Sequence, residues 1–369
     1  SGLLSEKSKI RIRLITRNAN DRFDRAFWKR KVQWAWNYRK TVMGTDASAC
    51  RVLFSEADGF PGLVVDRFED VLVAETLSVG MERLKPMIFP ALLEVLAEDG
   101  IAIRGLYERN DASTRSLEGL AQTAGWFAGA AEDVACSLDP INPSQPEAAV
   151  FGPTTTQILE NGVRYEVDFE NGQKTGFFLD QKYNRRAVAQ LAAGRRVLDC
   201  FTHTGSFALN AAHGGAEYVN AVDISELAVA QARKNAQLNG LDGKMDFTAA
   251  NVFDLLPQLE AAHDRTYDFI VLDPPAFTKS RKTIDSAARG YKEINYRAMK
   301  LLPRGGYLAT CSCSHFMDTE RFRRVVSYAA QDAGVQLRQI EERQQAPDHP
   351  ILWGVPETDY LKFFLFQVV

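Results

Sequence analysis

A short segment in the second half of the chain combines an acid, two prolines and an aromatic residue: Asp273-Pro274-Pro275-Ala276-Phe277. It directly follows the apolar pair Val271-Leu272, so we expect it to begin where a β-strand ends. The two prolines hold φ at about −65° and prevent the strand from continuing. The rigid loop that results offers a carboxylate and carbonyl groups to the amino and imino donors of a planar base. Such a loop is typical of enzymes that transfer a methyl group to nitrogen or to carbon.

The target atom depends on a second segment, Thr310-Cys311-Ser312-Cys313-Ser314-His315. C5 of a pyrimidine is a poor nucleophile, but a thiolate that adds to C6 converts C5 into one, and loss of the C5 proton later expels the thiol. Cys313, at the tip of the predicted strand, is placed for this role. Cys311 lies deeper in the strand and is expected to be a small apolar core residue. Transfer to a nitrogen, which needs no thiol, stays the alternative.

From about residue 195 onward, the predicted strands and helices that position these loops alternate regularly. Apolar strands are predicted at 196–200, 218–223, 268–273, 306–311 and 360–368, with helices between them. This alternation predicts an α/β fold with a Rossmann-like, doubly wound and mostly parallel sheet. Ligands in such folds bind at the carboxyl ends of the strands.

The first loops of this region favour S-adenosylmethionine as the ligand. The first crossover has one glycine, Gly205, and lacks the G-x-G-x-x-G pattern of dinucleotide folds. Asp223, at the end of the second strand, could accept hydrogen bonds from two ribose hydroxyls. It could instead cap the next helix. Asn251, with Val252 and Phe253, could bind an adenine edge by side chain and backbone.

Positive charge is concentrated at the start of the chain. The net charge is −3, but residues 1–45 hold twelve Lys or Arg and three acids, which leaves −12 for the remainder. Residues 9–15 alternate as in a strand, and a helix should follow with Phe23, Phe27, Trp34, Tyr38 and Val42 on one stripe. The stripe predicts either a core face or aromatics that stack on RNA bases. In both cases the charge can attract a polyanion.

Composition narrows the class of protein further. Hydrophobic residues make up 46% of the chain, yet no apolar run approaches the roughly 20 residues of a membrane span. There is no basic-then-apolar leader at the start. The five cysteines are unevenly spaced and form no Cys/His cluster, so no metal is expected and a cytoplasmic location fits.

Five motifs, in one order, resemble the RlmI-like family of 23S rRNA cytosine-C5 methyltransferases. They are KTGFFLDQ (174–181), DPPAF (273–277), RGYKEIN (289–295), SCS (312–314) and DHP (348–350). The stretch EADGFPG (56–62), followed by DRF (66–68), is similar to the central domain of that family.

The resemblance implies a domain order. Residues 1–18 would be the end of a PUA-like RNA-binding module, at most a remnant of it, or an N-terminal strand, and 19–48 a basic amphipathic helix. Residues 49–135 would form a small central α+β domain, 136–160 a Pro-rich linker, and 161–369 the class I methyltransferase domain.

The resemblance also implies roles for individual residues. Cys313 and Asp273 are expected to be catalytic, and Pro275, Phe277, Lys279 and Tyr291 to bind the substrate base. The S-adenosylmethionine site is expected to comprise Gln181, Arg185, Asp199, Thr202, Thr204, Gly205, Asp223, Ile224, Ser225, Asn251, Val252, Asp273 and Pro274.

The partner implied by the resemblance is ribosomal RNA, either 23S rRNA or a precursor particle, with a homodimer as a further option and no membrane. A different class of function also fits the sequence, namely an RNA-binding or assembly factor that keeps the cofactor fold without turnover. The intact acidic and loop positions disfavour it.

Overall fold

The computed structural model describes residues 1–127, 151–278 and 280–369, and its chain divides into two compact units. The first unit comprises Ser1–Glu160, Tyr165–Asp180 and Pro347–Thr358, and the second Asn161–Arg164, Gln181–Ala346 and Asp359–Val369. Most of the predicted linker, residues 136–150, lies outside the described residues, as does Lys279.

The predicted boundary at residue 161 differs from this division. Strands β8 (Thr155–Glu160) and β9 (Val163–Asp168) form a two-stranded sheet, and all of its residues except Val163 and Arg164 belong to the first unit. Because β9 pairs with the strand before it, most of β9 and the segment up to Asp180 stay with the first unit. The DHP motif at 348–350 also belongs to the first unit, although the sequence predicted it to be part of the methyltransferase domain.

The first unit is built on a five-stranded sheet with an α+β arrangement. Its strand order follows the chain, and only the β5–β6 pair is parallel, because helix α3 forms the crossover between them. The bounds are β3 (Ala49–Phe54), β4 (Leu63–Phe68), β5 (Val71–Thr76), β6 (Gly105–Asn110), β7 (Thr123–Trp126), α1 (Arg25–Met43), α2 (Ser55–Asp58) and α3 (Val79–Glu98).

The N-terminal segment is less regular than predicted. The strand expected at 9–15 is a short antiparallel hairpin of β1 (Gly2–Leu4) and β2 (Ile12–Leu14). The helix expected within 19–48 is α1, which begins later because Asp24 is its cap: the Asp24 carboxylate accepts a hydrogen bond from the Phe27 amide at 2.9 Å.

Helix α1 divides its aromatic residues between the core and the surface. Phe27, Trp28 and Trp36 are buried, whereas Trp34 and Tyr38 are exposed by 61% and 38%. The buried face of α1 runs through Val32, Ala35, Trp36 and Arg39, so the core interpretation of the stripe does not hold for Trp34 and Tyr38. Packing is the main role of the buried aromatics.

Much of the positive charge on α1 is matched by nearby acids. Arg25 and Lys29 pair with Glu94 of α3, and Lys40 pairs with Asp99 at its end. These contacts are exposed and contribute little to stability, but they reduce the charge that the helix offers to RNA.

The second unit contains a seven-stranded, doubly wound sheet in the order β12-β11-β10-β13-β14-β16-β15. The first five strands are parallel, as predicted, and β16 runs antiparallel to both of its neighbours. The strands are β10 (Arg196–Cys200), β11 (Tyr218–Asp223), β12 (Met245–Ala249), β13 (Phe269–Leu272), β14 (Tyr307–Ser312), β15 (Leu337–Arg343) and β16 (Lys362–Val368). The helices are α4 (Lys182–Leu191), α5 (Ser206–His213), α6 (Glu226–Leu238), α7 (Val252–Ala261), α8 (Ile284–Leu301) and α9 (Thr319–Ala333).

A core between the sheet and helices α8 and α9 fixes the strands that carry the candidate site. All four residues of β13 are buried, as expected for a central parallel strand covered on both faces. Tyr291 of α8, Phe322 of α9 and Phe364 of β16 lie in this core, with ring centroids 5.4–5.7 Å apart. The carboxyl ends of β10, β13 and β14 are consequently held side by side.

Candidate active site

The two segments that carry the predicted chemistry meet at the ends of adjacent strands. Leu272 of β13 pairs in register with Thr310 of β14, so the loops that follow these strands lie next to each other. The Cys313 Sγ atom lies 4.0 Å from the carbonyl oxygen of Pro274. Cys313 is partly exposed, whereas Cys311 is fully buried. Position and accessibility thus distinguish the two thiols.

A residue just before helix α4 orients the side chain of Asp273. The Gln181 side-chain amide, just before α4, donates a hydrogen bond to the Asp273 carboxylate at 3.0 Å. Burial raises the pKa of Cys311 well above its ordinary value, and the nearby Asp273 carboxylate adds to this effect. Cys311 therefore stays a neutral thiol, which agrees with its predicted role as a core residue.

Lys362 lies beside the Cys313 turn, although the sequence analysis did not select it. It is 5% exposed, pairs in register with Ser312, and donates hydrogen bonds of 2.7 Å to the carbonyl oxygens of Ser314 and Tyr360. Burial lowers the pKa of Lys362 to about 8, and Cys313, Asp359 and Asp318 oppose that shift. The signal in the sequence was a single lysine at the start of the apolar run Phe363–Phe366, since a buried lysine needs partners.

The predicted base-binding residues occupy different environments. Phe277 lies 4.6 Å from Tyr291 and 5.6 Å from Phe253, measured between ring centroids. Tyr291 is fully buried, and its hydroxyl oxygen accepts a hydrogen bond from Ser312 at 3.1 Å. The structure places Tyr291 behind the β14 strand as a supporting residue. Pro275 is exposed, and Lys279 lies outside the described residues.

Asp199 provides a test of whether a ligand fits the end of β10. It is fully buried, and one carboxylate oxygen accepts hydrogen bonds from the Thr202 hydroxyl at 2.5 Å and the Ala208 amide at 2.9 Å. The other oxygen, and the Thr204 hydroxyl, are buried without a partner in the described structure. Burial raises the pKa of Asp199 to about 7. Unsatisfied polar atoms at a strand end suit a polar ligand such as S-adenosylmethionine.

The loop between β10 and α5 has a conformation that requires glycine at one position. Gly205 has φ +85°, and a Cβ atom there would lie 2.9 Å from the Cβ of Ala232. Phe201 and His203, in the same loop, also have positive φ angles, of 65° and 50°. Such backbone strain persists only where the surrounding structure enforces it, as at ligand sites. Arg185, 1% exposed, reaches the start of α5 with a 3.3 Å hydrogen bond to Ser206.

Asp223 is positioned by backbone contacts on both sides. Its two carboxylate oxygens accept hydrogen bonds from the amides of His203 and Ser225, each at 2.9 Å. The cap of α6 is Ser225, whose hydroxyl accepts from Ala228 at 3.3 Å, so the alternative role of Asp223 as the cap is wrong. A carboxylate has about four acceptor sites, which leaves two of them for ribose hydroxyls.

Asn251 differs from the prediction in the use of its side chain. Its side-chain oxygen caps α7 by accepting from the Phe253 amide at 3.1 Å, and its amide nitrogen donates to Asp254 at 2.9 Å. The neighbouring Phe253, which the sequence grouped with Asn251 and Val252, has a ring that is 38% exposed. Ile224, which follows the end of β11, is 72% exposed, and Val252 is buried.

No helix in the described ranges is long and apolar enough to cross a bilayer. Among the residues that the structure describes, His, Cys, Asp and Glu side chains form no group of three or more that would hold a metal ion.

Proteins with similar sequences are known. The chain is 38% identical over its whole length to ribosomal RNA large subunit methyltransferase I of Aliivibrio fischeri (strain ATCC 700601 / ES114), of which it covers 87%. It is 37% identical to the protein of the same name from Klebsiella pneumoniae (strain 342), of which it covers 86%.

Two solved structures have a similar fold at 22% sequence identity. One is a putative S-adenosylmethionine-dependent methyltransferase from Streptococcus mutans, with a TM-score of 0.79 over 99% of this chain and 87% of that chain. The other, a putative methyltransferase in complex with SAH, has a TM-score of 0.78 with the same coverage. Residues 103–366 match the family model described as S-adenosylmethionine-dependent methyltransferase. The chain therefore belongs to the S-adenosylmethionine-dependent methyltransferase family, and within it to the group of the ribosomal RNA large subunit methyltransferase I proteins.

Proposed function

We propose that the protein methylates C5 of a cytosine in the RNA of the large ribosomal subunit, with Cys313 as the nucleophile. The observation that carries this proposal is the contact between the two strand ends, with Cys313 Sγ 4.0 Å from the Pro274 carbonyl oxygen. The names of the relatives, which are 36–38% identical, support the substrate class.

The residues divide the reaction between them. The Cys313 thiolate forms a bond to C6, which moves electron density to C5. Bound S-adenosylmethionine supplies an electrophilic methyl group. Loss of the C5 proton to a base restores the C5–C6 double bond, breaks the S–C6 bond and returns the thiolate. The Asp273 carboxylate, oriented by Gln181, accepts a hydrogen bond from the exocyclic amino group of the base.

Donor binding is assigned to the ends of β10, β11 and β12. Asp223 accepts hydrogen bonds from ribose hydroxyls, Phe253 and Val252 contact the adenine, and the free oxygen of Asp199 accepts from a donor group. Arg185 is a buried cation hydrogen-bonded to Ser206 at the start of α5, and it suits the carboxylate of the methionine moiety.

The decisive experiment uses ribosomal RNA that contains 5-fluorocytosine, which cannot lose the C5 substituent as a proton. With labelled donor, the wild-type protein should form a covalent complex that survives a denaturing gel, and Cys313→Ala should not. Cys311→Ala is the matched control and should still form the complex. Methyl transfer that survives Cys313→Ala would establish nitrogen chemistry instead. Absence of donor binding would leave an RNA-binding or assembly factor.

A further inference from the structure

A basic groove lies beside the candidate site, between the start of α8 and the first half of α9. Its volume is about 440 Å³, and we call it the α8–α9 groove. Three arginines line it, Arg281, Arg321 and Arg324, together with one acid, Asp285. Tyr328, 54% exposed, forms part of its wall.

Two of the three arginines in the α8–α9 groove have no ion-pair partner among the described residues. Arg321 pairs with Asp318 at 3.3 Å, but Arg281 and Arg324 have no ion-pair partner in the described part of the chain. Residues beyond 45 carry a net charge of −12, so the three arginines against one acid make this groove locally positive on an acidic part of the chain. Arginines that bind phosphates and a ring that stacks on bases are the two components of a single-strand binding surface.

The groove continues directly from the loops of the candidate site. The loop that begins at Asp273 leads to Arg281, and the turn after Cys313 leads to Met317 in the groove. The Ser314 hydroxyl donates a 3.0 Å hydrogen bond to the Thr278 carbonyl and so ties the two loops together. A strand of RNA that presents a base to Cys313 can therefore enter this groove with its neighbouring nucleotide.

We propose that the α8–α9 groove binds the single-stranded RNA next to the target base, with Arg281 and Arg324 on phosphates and Tyr328 against a base. The proposal rests on the proposed RNA methyltransferase function. It assigns affinity for the flanking strand to α8 and α9 of the second unit, in addition to any contribution from the basic N-terminal segment.

The test compares Arg281→Gln/Arg324→Gln with Arg323→Gln, which changes a neighbouring arginine of α9 that pairs with Glu342 at 2.7 Å. Binding of a fluorescent large-subunit RNA fragment is measured by anisotropy at several salt concentrations. The double variant should bind at least tenfold more weakly, and the magnitude of its salt slope should fall by about 1.4, because two phosphate contacts to a single strand are lost. Tyr328→Ala should weaken binding without changing the slope, and all variants should bind the methyl donor normally.

The outcomes separate the two proposals. If the wild-type protein methylates the fragment but the double variant matches Arg323→Gln in affinity and slope, the groove assignment is wrong. If the wild-type protein neither binds nor methylates the RNA, the proposed function itself fails.

An independent observation concerns Lys362. Its ammonium group donates a hydrogen bond to the Ser314 carbonyl, and its backbone lies opposite Ser312 in the sheet. Lys362 therefore lies next to the residues on both sides of Cys313. We infer that Lys362 is a positioning residue that stabilises the Cys313 thiolate and fixes the turn that carries it. The other ionisable groups around this pair are Asp273, Tyr291 and Cys311 near the thiol, and Asp318 and Asp359 near the lysine.

The pH dependence of Cys313 alkylation by iodoacetamide, followed by peptide mass spectrometry, tests this inference without RNA. Lys362→Met should raise the apparent pKa of Cys313 by about one unit, because a nearby positive charge is lost. Lys362→Arg should keep most of the wild-type pH profile. That result would attribute the effect on Cys313 to the positive charge and would show that the variant is folded. Lys292→Met, at an exposed lysine that pairs with Asp332, is the control. An unchanged profile in a folded Lys362→Met protein would refute the role.

Discussion

The Sγ atom of Cys313 lies 4.0 Å from the carbonyl oxygen of Pro274, although 39 residues separate them in the chain. The proximity arises because β13 and β14 are parallel neighbours whose carboxyl ends lie at one edge of the sheet. The loop for which we propose base recognition and the thiol for which we propose activation of the base are therefore fixed by the same core.

Removal of the Asp223 carboxylate should weaken binding of S-adenosylmethionine. Asp223→Ala deletes a charge-assisted acceptor and should cost on the order of 1.5–3 kcal/mol of binding free energy, measured by calorimetry. Asp223→Asn keeps one acceptor oxygen and should lose less. Glu226→Ala changes an exposed acid three residues away and should have no effect. Equal affinities for wild type and Asp223→Ala would place the ribose elsewhere.

Substitution of Gly205 should destabilise the protein by two separate effects. An alanine at φ +85° costs about 1–2 kcal/mol, and the close approach to Ala232 adds about 1–3 kcal/mol of overpacking. Gly240→Ala is the matched control, because Gly240 has φ +63° with nothing within 4 Å and thus tests backbone strain alone. Denaturant unfolding should show a larger loss for Gly205→Ala than for Gly240→Ala; equal losses would contradict the packing argument.

Asp199 should make the stability of the donor-free protein depend on pH. Its pKa is raised from 3.8 to about 7, so the folded state binds a proton that the unfolded state has already released between these values. The free energy of unfolding should therefore fall as pH rises from 4 to 7, by on the order of 2 kcal/mol between pH 5 and pH 7, and then level off. Asp199→Asn should remove this slope. A slope that persists in the variant would assign it to other groups.

Loss of the Arg39 guanidinium should destabilise the first unit strongly. Arg39 is fully buried and makes two hydrogen bonds to the Asp58 carboxylate, at 2.6 and 2.7 Å, and one to the Asp348 carbonyl at 2.9 Å. Arg39→Met leaves Asp58 without its cation and should cost about 3–5 kcal/mol by denaturant unfolding.

The control for this prediction is Arg30→Met on the exposed face of the same helix, which should change stability by less than about 0.5 kcal/mol. Comparable losses in both variants would mean that helix propensity, rather than the buried ion pair, accounts for the effect.

Local patterns predicted the second unit well. Residues 196–200 and 268–273 are short and mostly apolar runs, and the structure forms parallel strands there. The hydrophobic pattern was less informative for β15, because most residues of this strand are exposed. It also did not indicate the direction of β16, which runs antiparallel to β14. The direction of a strand depends on which neighbour it pairs with, and a periodic pattern does not contain that information.

The sequence alone determined the kinds of chemistry that the protein carries: an acid held before two prolines, a thiol at a strand end and a single-glycine crossover. The tertiary structure decided which of these groups meet and what surrounds them. It brought Lys362 of the last strand beside Cys313, buried Tyr291 behind β14, and paired Arg25 and Lys29 of α1 with Glu94 of α3. These outcomes depend on contacts between residues far apart in the chain, and burial changes both the charge state and the accessibility of a side chain.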